Sequence, residues 1–320
     1  MKQFINKVKT NLRGSQIYYA YKWSVAFFAA LRNGFPARSL QVVGVTGTDG
    51  KTTTCTLIHH LLQSSGLKTV FVGTTGVWIG TQEVTGVQKM TSYDPSDLQR
   101  LLAQAVRQGC THAVIEVSSH GLDQLRFLGV PFSRAVLTNI SPEHLDYHHT
   151  VEAYAAAKYK LFDMVQKSEL TKKAIILPTH AAIAHQRVQN NQLAHPIRYG
   201  EDAQAMYRAT DIVLEAGKTN FTCQFAGEDH QIDLSLGGKF NVFNALAAIA
   251  VARSFGIPRE KIVPALATFQ GVHGRQDHVK RAGVDWYIDF AHTPQGLENM
   301  LNYLRGIMKG GKLWCLFGAP

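Results

Sequence analysis

An apolar segment at residues 40–45 leads directly into a glycine-rich loop, and the first residues of a helix follow the loop. This order of segments restricts the possible folds more than any other feature of the chain. The loop reads Gly44-Val45-Thr46-Gly47-Thr48-Asp49-Gly50-Lys51-Thr52-Thr53. A strand, two glycines, a Lys-Thr pair and a helix are the context of a phosphate-binding loop, although Val45 stands where the usual spacing has glycine. Such a loop closes backbone N–H groups around phosphate oxygens, and the threonine hydroxyl can bind Mg²⁺. We therefore expect a nucleotide site, with a glycine-rich turn lacking a ligand as the alternative.

The composition fits a globular protein with an anionic ligand. The 320 residues are 45% hydrophobic, which is enough to bury a large core. A formal net charge of +10 suits nucleotides or sugar phosphates. Because no long Lys/Arg run or basic–aromatic alternation occurs, no nucleic acid is expected as a partner. The four cysteines form no C-x-x-C pair, so we expect reduced thiols and a cytoplasmic location; they are Cys55, Cys110, Cys223 and Cys315.

Strand and helix signals alternate along the chain, which predicts an α/β fold with a mostly parallel sheet. Predicted strands at residues 70–72, 113–117 and 135–138 are separated by helical patterns, one of which begins at Pro95. We expect three parts: a basic, aromatic helical segment at 1–39, an ATP-binding central domain containing the phosphate loop at 40–270, and a hinge with an incomplete domain at 271–320.

The last residues predict the beginning of a second, Rossmann-like α/β domain. A strand at 286–290, a helix at 294–308 and a strand at 313–317 would form its first β-α-β unit, after which the sequence stops. Such a unit leaves strand edges exposed and has only a small core. We therefore expect a truncated gene product or a fragment of a longer protein, whose isolated turnover could be nil.

The N-terminal segment combines basic residues with an aromatic-rich stretch at 17–31 that Lys22 interrupts. At 15 residues this stretch is short for a bilayer span, which takes about 20. A signal peptide would look similar, but the apolar block continues into Arg32 and a globular fold. A helix lying on a membrane surface and a helix docked on the main domain both remain open, and docking is favoured.

Polar side chains follow the predicted strands at 113–117 and 135–138, where open α/β sheets bind ligands. Glu116 lies at the end of the first strand, and His144 follows the second. A carboxylate and an imidazole beside a phosphate loop suit Mg²⁺ or its bound water, although each could instead be a structural hydrogen-bonding group. Neither an H-E-x-x-H pattern nor a cysteine companion indicates zinc.

Lys158 falls on the apolar stripe of the helix predicted at 151–167, four residues after Tyr154. A lysine on a buried face needs a counter-charge, a lowered pKa or a chemical modification. A side chain that reaches past the apolar surface to solvent is the alternative.

Five separated segments, which occur in the family's order, make residues 40–320 resemble the Mur ligases. The likeness is greatest to the members that add the third amino acid to UDP-N-acetylmuramoyl-L-alanyl-D-glutamate. The segments are the loop at 44–53, Glu116-Val117-Ser118-Ser119-His120-Gly121-Leu122-Asp123-Gln124-Leu125-Arg126, Thr138-Asn139-Ile140-Ser141-Pro142-Glu143-His144-Leu145-Asp146-Tyr147-His148, Ala157-Lys158, and Asp289-Phe290-Ala291-His292-Thr293-Pro294.

The resemblance implies a role for each of four groups of residues. The catalytic residues would be Lys51, Glu116, His144 and Lys158, and the metal-binding residues would be Thr52, Glu116, His144 and Lys158. Lys158 matches a lysine that the family carbamylates. ATP would contact the loop, the helix near 240 and the hinge, through Gly47, Thr48, Asp49, Gly50, Lys51, Thr52, Thr53, Asn241, Asn244, Arg275 and His292. The muramoyl-peptide would contact Thr91, Ser92, Ser118, Gln124 and Arg126. Where tripeptide-forming members usually read Thr-Thr-Pro before the helix, this chain has Thr91-Ser92-Tyr93-Asp94-Pro95.

The implied reaction is ATP- and Mg²⁺-dependent amide formation through an acyl phosphate, in peptidoglycan precursor synthesis. Diaminopimelate or lysine would be the amino acid added. A folylpolyglutamate-type ligase shares the loop, but segments 116–126 and 144–148 resemble it less. The alternative function is a nucleotide-binding module or partner subunit without turnover. Membrane contact through residues 1–39 would be compatible with either function.

Overall fold

The computed structural model describes residues 15–181 and 196–318, and a large sheet is the main element of that structure. Its strands are β1 (Gln41–Thr46), β2 (Thr69–Gly73), β3 (Gly76–Ile79), β4 (Gln82–Glu83), β5 (His112–Glu116), β6 (Phe132–Leu137), β7 (Ala174–Pro178), β8 (Ile197–Gly200), β9 (Tyr207–Glu215), β10 (Lys218–Phe225) and β11 (Glu228–Leu234). The described helices are α1 (Gln16–Arg32), α2 (Lys51–Ser64), α3 (Pro95–Arg107), α4 (Ser119–Asp123), α5 (Leu145–His148), α6 (Val151–Lys167), α7 (Lys239–Ser254), α8 (Arg259–Ala267) and α9 (Pro294–Ile307).

The strand order across the described sheet is β11-β10-β9-β8-β7-β6-β1-β5-β2-β3-β4. Every pairing from β2 through β5, β1, β6, β7 and β8 to β9 is parallel, and the outer pairs at both edges are antiparallel. The predicted α/β fold with a mostly parallel sheet is therefore confirmed. Because β1 lies between β5 and β6, the polar residues after these three strands meet at one edge of the sheet.

Two apolar cores cover the two faces of this sheet. Along β1, Val43 and Val45 face one core with α2 and α7, while Val42 faces the other core with α3 and α6. This alternation follows from the two-residue repeat of side chains in a strand. Burial on both faces explains why the central strands are apolar runs rather than alternating patterns. The alternating chain of strands and helices thus holds the phosphate loop between two packed layers.

The chain after residue 276 forms a hairpin and a helix. Strands β12 (Asp277–Arg281) and β13 (Val284–Ile288) pair antiparallel, and α9 follows. The predicted strand at 313–317 is wrong: these residues form no strand, and the side chain of Leu316 is fully exposed. An apolar run becomes a strand only with a partner to hydrogen-bond, and in the described chain β13 pairs with β12 alone. The expected domain boundaries at residues 39 and 270 stay a prediction.

Helix α1 docks on the main domain against α3. The Ser15 hydroxyl caps its start by accepting a hydrogen bond from the N–H of Tyr18. Tyr18, Ala26 and Ala30 are buried on the docked side. The favoured docking of this segment is therefore seen in the structure for its residues from 15 onward. None of the helices within residues 15–181 and 196–318 is both long and apolar enough to cross a bilayer.

The four cysteines are free thiols, of which Cys315 is exposed and the other three are buried. Burial raises the pKa of the Cys55 thiol, on α2, well above its usual value. The expectation of unpaired cysteines is met in the structure.

His59 on α2 makes the stability of the fold sensitive to acid. Its Nε2–H donates to the carbonyl of Gly80 at 2.9 Å, and its Nδ1 atom is buried without a partner among the described residues. Burial lowers the pKa of His59 from 6.5 to about 4. Between these values the unfolded chain binds a proton that the folded chain does not, so the free energy of unfolding falls as pH drops from 6.5 to about 4.

We expect this group to remove about 2 to 3 kcal/mol of stability across that window. His59→Gln, which keeps an N–H donor, should reduce the pH dependence of urea unfolding without removing it, because burial also lowers the pKa of His112 to about 4. His273→Gln, at a histidine whose side chain is fully exposed, is the matched control and should change the slope less than His59→Gln does. An unchanged slope in His59→Gln would contradict this assignment.

Candidate active site

The phosphate loop between β1 and α2 requires glycine at two positions. Gly47 has φ 150°, and a Cβ there would overlap the hydroxyl of Thr138. Gly50 has φ 81°, and a Cβ there would lie 2.5 Å from Asn244 Oδ1. The side chain of Lys51 folds over the loop, and its Nζ donates to the carbonyl of Gly47 at 3.0 Å. The lysine charge therefore lies at the loop, as the sequence predicts for a phosphate site.

The loop is held from outside by the segment that follows β6. The N–H of Asp49 donates to Asn139 Oδ1 at 3.0 Å, and Asn139 Nδ2 donates back to the Asp49 carbonyl at 3.1 Å. The hydroxyl of Thr48 donates to the carbonyl of Ser141 at 3.1 Å. These bonds fix the loop backbone before any ligand arrives, which reduces the ordering cost of binding.

Glu116 brings a buried carboxyl group to the end of β5. Its Oε2 accepts from the Thr74 hydroxyl at 2.6 Å, and Thr74 in turn contacts Thr91 Oγ1 at 2.9 Å. The predicted substrate residue Thr91 is thereby linked to Glu116. The Oε1 atom of Glu116 is buried and has no hydrogen-bond partner among the residues that the structure describes. A carboxylate buried in this way calls for a cation or a donor at its free oxygen.

The donor set at this edge fits Mg²⁺ better than a metal that needs a cage of protein ligands. No group of three or more His, Cys, Asp or Glu side chains within residues 15–181 and 196–318 could hold a metal ion. Mg²⁺ is commonly bound by one or two carboxylates together with substrate phosphates. The unpartnered oxygen of Glu116 and the hydroxyl of Thr52 provide such oxygen donors.

Glu143 is a central residue of this site, although no sequence pattern singles it out. Its Oε2 accepts from the Tyr154 hydroxyl at 2.9 Å, and its Oε1 lies 3.2 Å from His292 Nε2. Burial acts to raise the pKa of Glu143, but the charges of Lys51 and His144 outweigh it and hold that pKa below its usual value. Glu143 therefore joins the loop lysine electrostatically to a histidine from the C-terminal part of the chain.

Lys158 is buried, as its place on the apolar stripe predicts, with 2% of its surface exposed. Its Nζ donates to the Gly47 carbonyl at 2.6 Å and lies 4.2 Å from the centre of the Tyr154 ring. Burial lowers the pKa of Lys158 far below its usual value, and the charge of Lys51 lowers it further, against the opposing effect of Glu143. The alternative of a side chain reaching solvent is excluded by this burial.

His144 lies at the same edge but is half exposed. It adopts a left-handed conformation with φ 52° at the start of α5, and its Nε2 lies 3.6 Å from Glu143 Oε1. Its ring packs edge-on against His120, with 4.7 Å between the ring centres. The structure thus brings His144 beside Glu143, while its role as a metal ligand stays a prediction.

The residues predicted to contact the muramoyl-peptide converge on Ser92. Ser118 Oγ donates to Ser92 Oγ at 2.8 Å, and Arg126 Nη1 donates to the Ser92 carbonyl at 2.6 Å. Arg126 also donates to Gln124 Oε1 at 2.9 Å and lies 3.5 Å from Asp94. The set forms one polar cluster near the end of β5, whereas its contact with a substrate stays a prediction.

Two asparagines on α7 sit behind the loop. Asn244 Oδ1 accepts from the Thr54 hydroxyl at 3.1 Å, and Asn244 Nδ2 donates to Asn241 Oδ1 at 3.0 Å. Asn241 Nδ2 donates to Gln276 Oε1 at 2.9 Å. Both side chains are buried. They connect α2, α7 and the hinge, and their expected contact with ATP stays a prediction.

The hinge reaches the loop through two further contacts. Arg275 Nη2 donates to Thr52 Oγ1 at 3.4 Å, and the Thr293 hydroxyl donates to Asp49 Oδ2 at 3.0 Å. The guanidinium of Arg275 also stacks over Phe290, 4.3 Å from the ring centre. Arg275 is therefore brought to the loop, as expected of a residue that completes a nucleotide site, and its contact with ATP stays a prediction.

Four residues belong to this site although they are not among those predicted from the sequence; they are Glu143, Asn139, Tyr154 and Thr293. Glu143 could have been found, because it directly precedes His144 after the same strand. Tyr154 lies one helical turn before Lys158, which is a detectable spacing. The other two act through bonds to Asp49, and no sequence signal reports such bonds.

A phosphate loop at the carboxyl edge of a parallel sheet, with acidic and basic side chains around it, defines a nucleotide-binding α/β protein. Residues 45–252 match the family described as Mur ligase middle domain, and residues 274–320 match the one described as Mur ligase, glutamate ligase domain. The chain belongs to the Mur ligase family.

Curated relatives carry the names of a tripeptide synthetase and of diaminopimelate ligases. A UDP-N-acetylmuramyl-tripeptide synthetase 2 of Oceanobacillus iheyensis is 37% identical over 88% of this chain and 57% of its own length. A UDP-N-acetylmuramoyl-L-alanyl-D-glutamate--2,6-diaminopimelate ligase of Synechococcus elongatus is 39% identical over 89% of this chain and 56% of its own length. The chain therefore spans a little over half the length of these relatives.

Solved structures show the same fold. A UDP-N-acetylmuramoyl-L-alanyl-D-glutamate--2,6-diaminopimelate ligase matches with a TM-score of 0.73 and 32% identity, over 88% of this chain and 56% of that one. The apo form of L. casei FPGS matches with a TM-score of 0.74 at 17% identity, over 90% of this chain and 76% of that one, which shows the fold alone.

Proposed function

We propose that this chain catalyses ATP-dependent formation of an amide bond between an amino acid and the carboxylate of UDP-N-acetylmuramoyl-L-alanyl-D-glutamate. The observation that carries the proposal is the convergence of Lys51, Glu116 and Lys158 at one edge of the sheet, around the glycine-rich loop between β1 and α2. The names of relatives at 37% and 39% identity support the same substrate.

The proposed reaction has two steps. A carboxylate oxygen of the substrate attacks the γ-phosphorus of ATP, the bond to the β–γ bridging oxygen breaks, and ADP leaves from an acyl phosphate. The amine of the incoming amino acid then attacks the acyl carbon, loses a proton, and releases inorganic phosphate. Lys51 and Arg275, which both contact the loop, would supply positive charge where negative charge develops on the transferring group. The fixed loop contributes positioning, and the reaction needs no protein nucleophile.

Thr52 and Glu116 would hold Mg²⁺ in this proposal, with His144 and Lys158 contributing to a second ion. When bound, Mg²⁺ supplies positive charge that offsets the phosphate oxygens. Thr74 positions Glu116 by donating to Oε2, which leaves Oε1 as the oxygen without a partner in the described chain.

The state of Lys158 fits carbamylation. Burial lowers the pKa of the Lys158 amine and so favours its neutral form, which is the form that attacks CO₂. The nitrogen forms a bond to carbon and loses a proton, which gives a carbamate anion. Carbamylation would thus convert the buried base Lys158 into an oxygen ligand close to the carbonyl of Gly47.

The polar cluster around Ser92 would bind the muramoyl-peptide. Arg126 is its cationic group, and the bonds to Ser92 and Gln124 fix the guanidinium plane. The added amino acid would be diaminopimelate or lysine, and the names of the relatives favour diaminopimelate. We place the reaction in the cytoplasm, in agreement with four unpaired cysteines.

The test is release of phosphate from ATP in the presence of Mg²⁺, UDP-N-acetylmuramoyl-L-alanyl-D-glutamate and either diaminopimelate or lysine. We expect release that requires both the dipeptide substrate and one of the two amino acids. Glu116→Gln should lower it by about 100-fold or more, because the buried carboxylate is lost. Glu83→Gln, at an exposed carboxylate in a surface ion pair with Lys89, is the matched control and should keep full activity. Release that does not depend on the dipeptide would overturn the proposal. So would the absence of release both from this chain and from a form extended by any downstream coding sequence.

A further inference from the structure

Helix α1 has two apolar faces, and only one of them is covered by the described chain. The covered face packs on α3, and its buried residues are Tyr18, Ala26, Ala29 and Ala30. The other face carries Ile17, Phe28 and Leu31, which are 69%, 63% and 50% exposed. Their spacing of eleven and three residues places them along one side of the helix.

Aromatic side chains extend this exposed stripe. Trp23 is 47% exposed and stacks on Phe27, with 4.8 Å between the ring centres. Trp and Tyr are the residues that favour the boundary between lipid headgroups and acyl chains. The helix therefore offers a surface of the kind that lies in a membrane interface.

The charge of the N-terminal segment is entirely of one sign. Residues 1–39 contain seven Lys and Arg and no Asp or Glu, whereas the whole chain has a net charge of +10. Arg32 and Arg38 are exposed at the end of α1 and just after it. A second copy of this chain would bring like charges together at such a face, which disfavours self-association there.

We propose that α1 binds the surface of a bilayer that contains anionic phospholipid. The exposed stripe would enter the headgroup region, and the exposed Arg32 and Arg38 would contact lipid phosphates. The buried face would stay on α3, so the helix would hold the active-site domain at the membrane.

The test is co-sedimentation of the full chain with vesicles of phosphatidylcholine alone or mixed with phosphatidylglycerol, in the absence of substrates. We expect binding to the anionic vesicles that weakens as salt rises, and little binding to phosphatidylcholine. The double variant Phe28→Glu with Leu31→Glu should lower the affinity by about tenfold or more. Met206→Glu with Val213→Glu, at residues 58% and 55% exposed on another surface, is the matched control and should bind normally.

A second measurement locates the contact. Brominated lipids should quench the fluorescence of the chain, and Trp23→Phe should remove most of that quenching, although three other tryptophans remain. Equal binding by the two double variants, or no binding to anionic vesicles, would overturn the proposal. Concentration-dependent self-association that Phe28→Glu with Leu31→Glu abolishes, without vesicle binding, would assign the stripe to a second copy instead. Because substrates are absent, failure here leaves the proposed ligase reaction unaffected.

Discussion

Lys51→Ala is expected to lower the affinity for ATP by about 100-fold, or roughly 3 kcal/mol. The lysine charge lies at the phosphate loop, and the loop at 44–53 contains no other lysine to replace it. Turnover in the phosphate-release assay should fall further, by about 1,000-fold, because the charge also stabilises the transferring group. Isothermal titration with Mg²⁺ and ATP measures the first effect.

The fold should survive this substitution. Lys51 Nζ donates to carbonyls of its own loop, those of Gly47 and Thr48, so no distant hydrogen bond is lost. Lys167→Ala, at an exposed lysine ending α6, is the matched control and should bind ATP normally. Unchanged ATP affinity in Lys51→Ala would show that the loop does not hold the phosphates.

The sequence predicts the parts of the site that depend on local patterns. The loop and the polar residue ending β5 follow from a strand, glycines and a following helix, and the structure places them at one sheet edge. The burial of Lys158 follows from helical periodicity in the same way. Each of these patterns lies within a short segment of chain, where spacing alone determines which side chains share a face.

Contacts between distant segments could not be predicted in this way. Glu143 meets His292 across 149 residues, and no local pattern reports that pairing. The strand expected at 313–317 failed for the same reason, because an apolar run does not specify its partner. The exposed stripe on α1 also depends on which face α3 covers, and helical periodicity alone leaves that choice open.

Lys158→Met is expected to abolish amide formation while keeping the fold. Methionine has a similar length and no charge, so burying it avoids the cost of burying an amine. The Gly47 carbonyl keeps a donor, because Lys51 Nζ also reaches it at 3.0 Å. We expect the phosphate-release rate to fall by about 1,000-fold and the thermal midpoint to stay or rise.

Lys160→Met is the matched control, since Lys160 lies on the same helix but pairs with Asp123 at 2.8 Å on a partly exposed face. Its turnover should stay within a few-fold of the turnover of the chain without a substitution. With ¹³C-bicarbonate, the chain without a substitution and Lys160→Met should both show a carbamate carbon resonance that Lys158→Met lacks. Full activity in Lys158→Met would show that Lys158 is not required for the reaction. Activity could instead be lost in Lys158→Met while none of the three proteins shows a carbamate signal. Lys158 would then act as an amine, through the hydrogen bond of its Nζ to the Gly47 carbonyl.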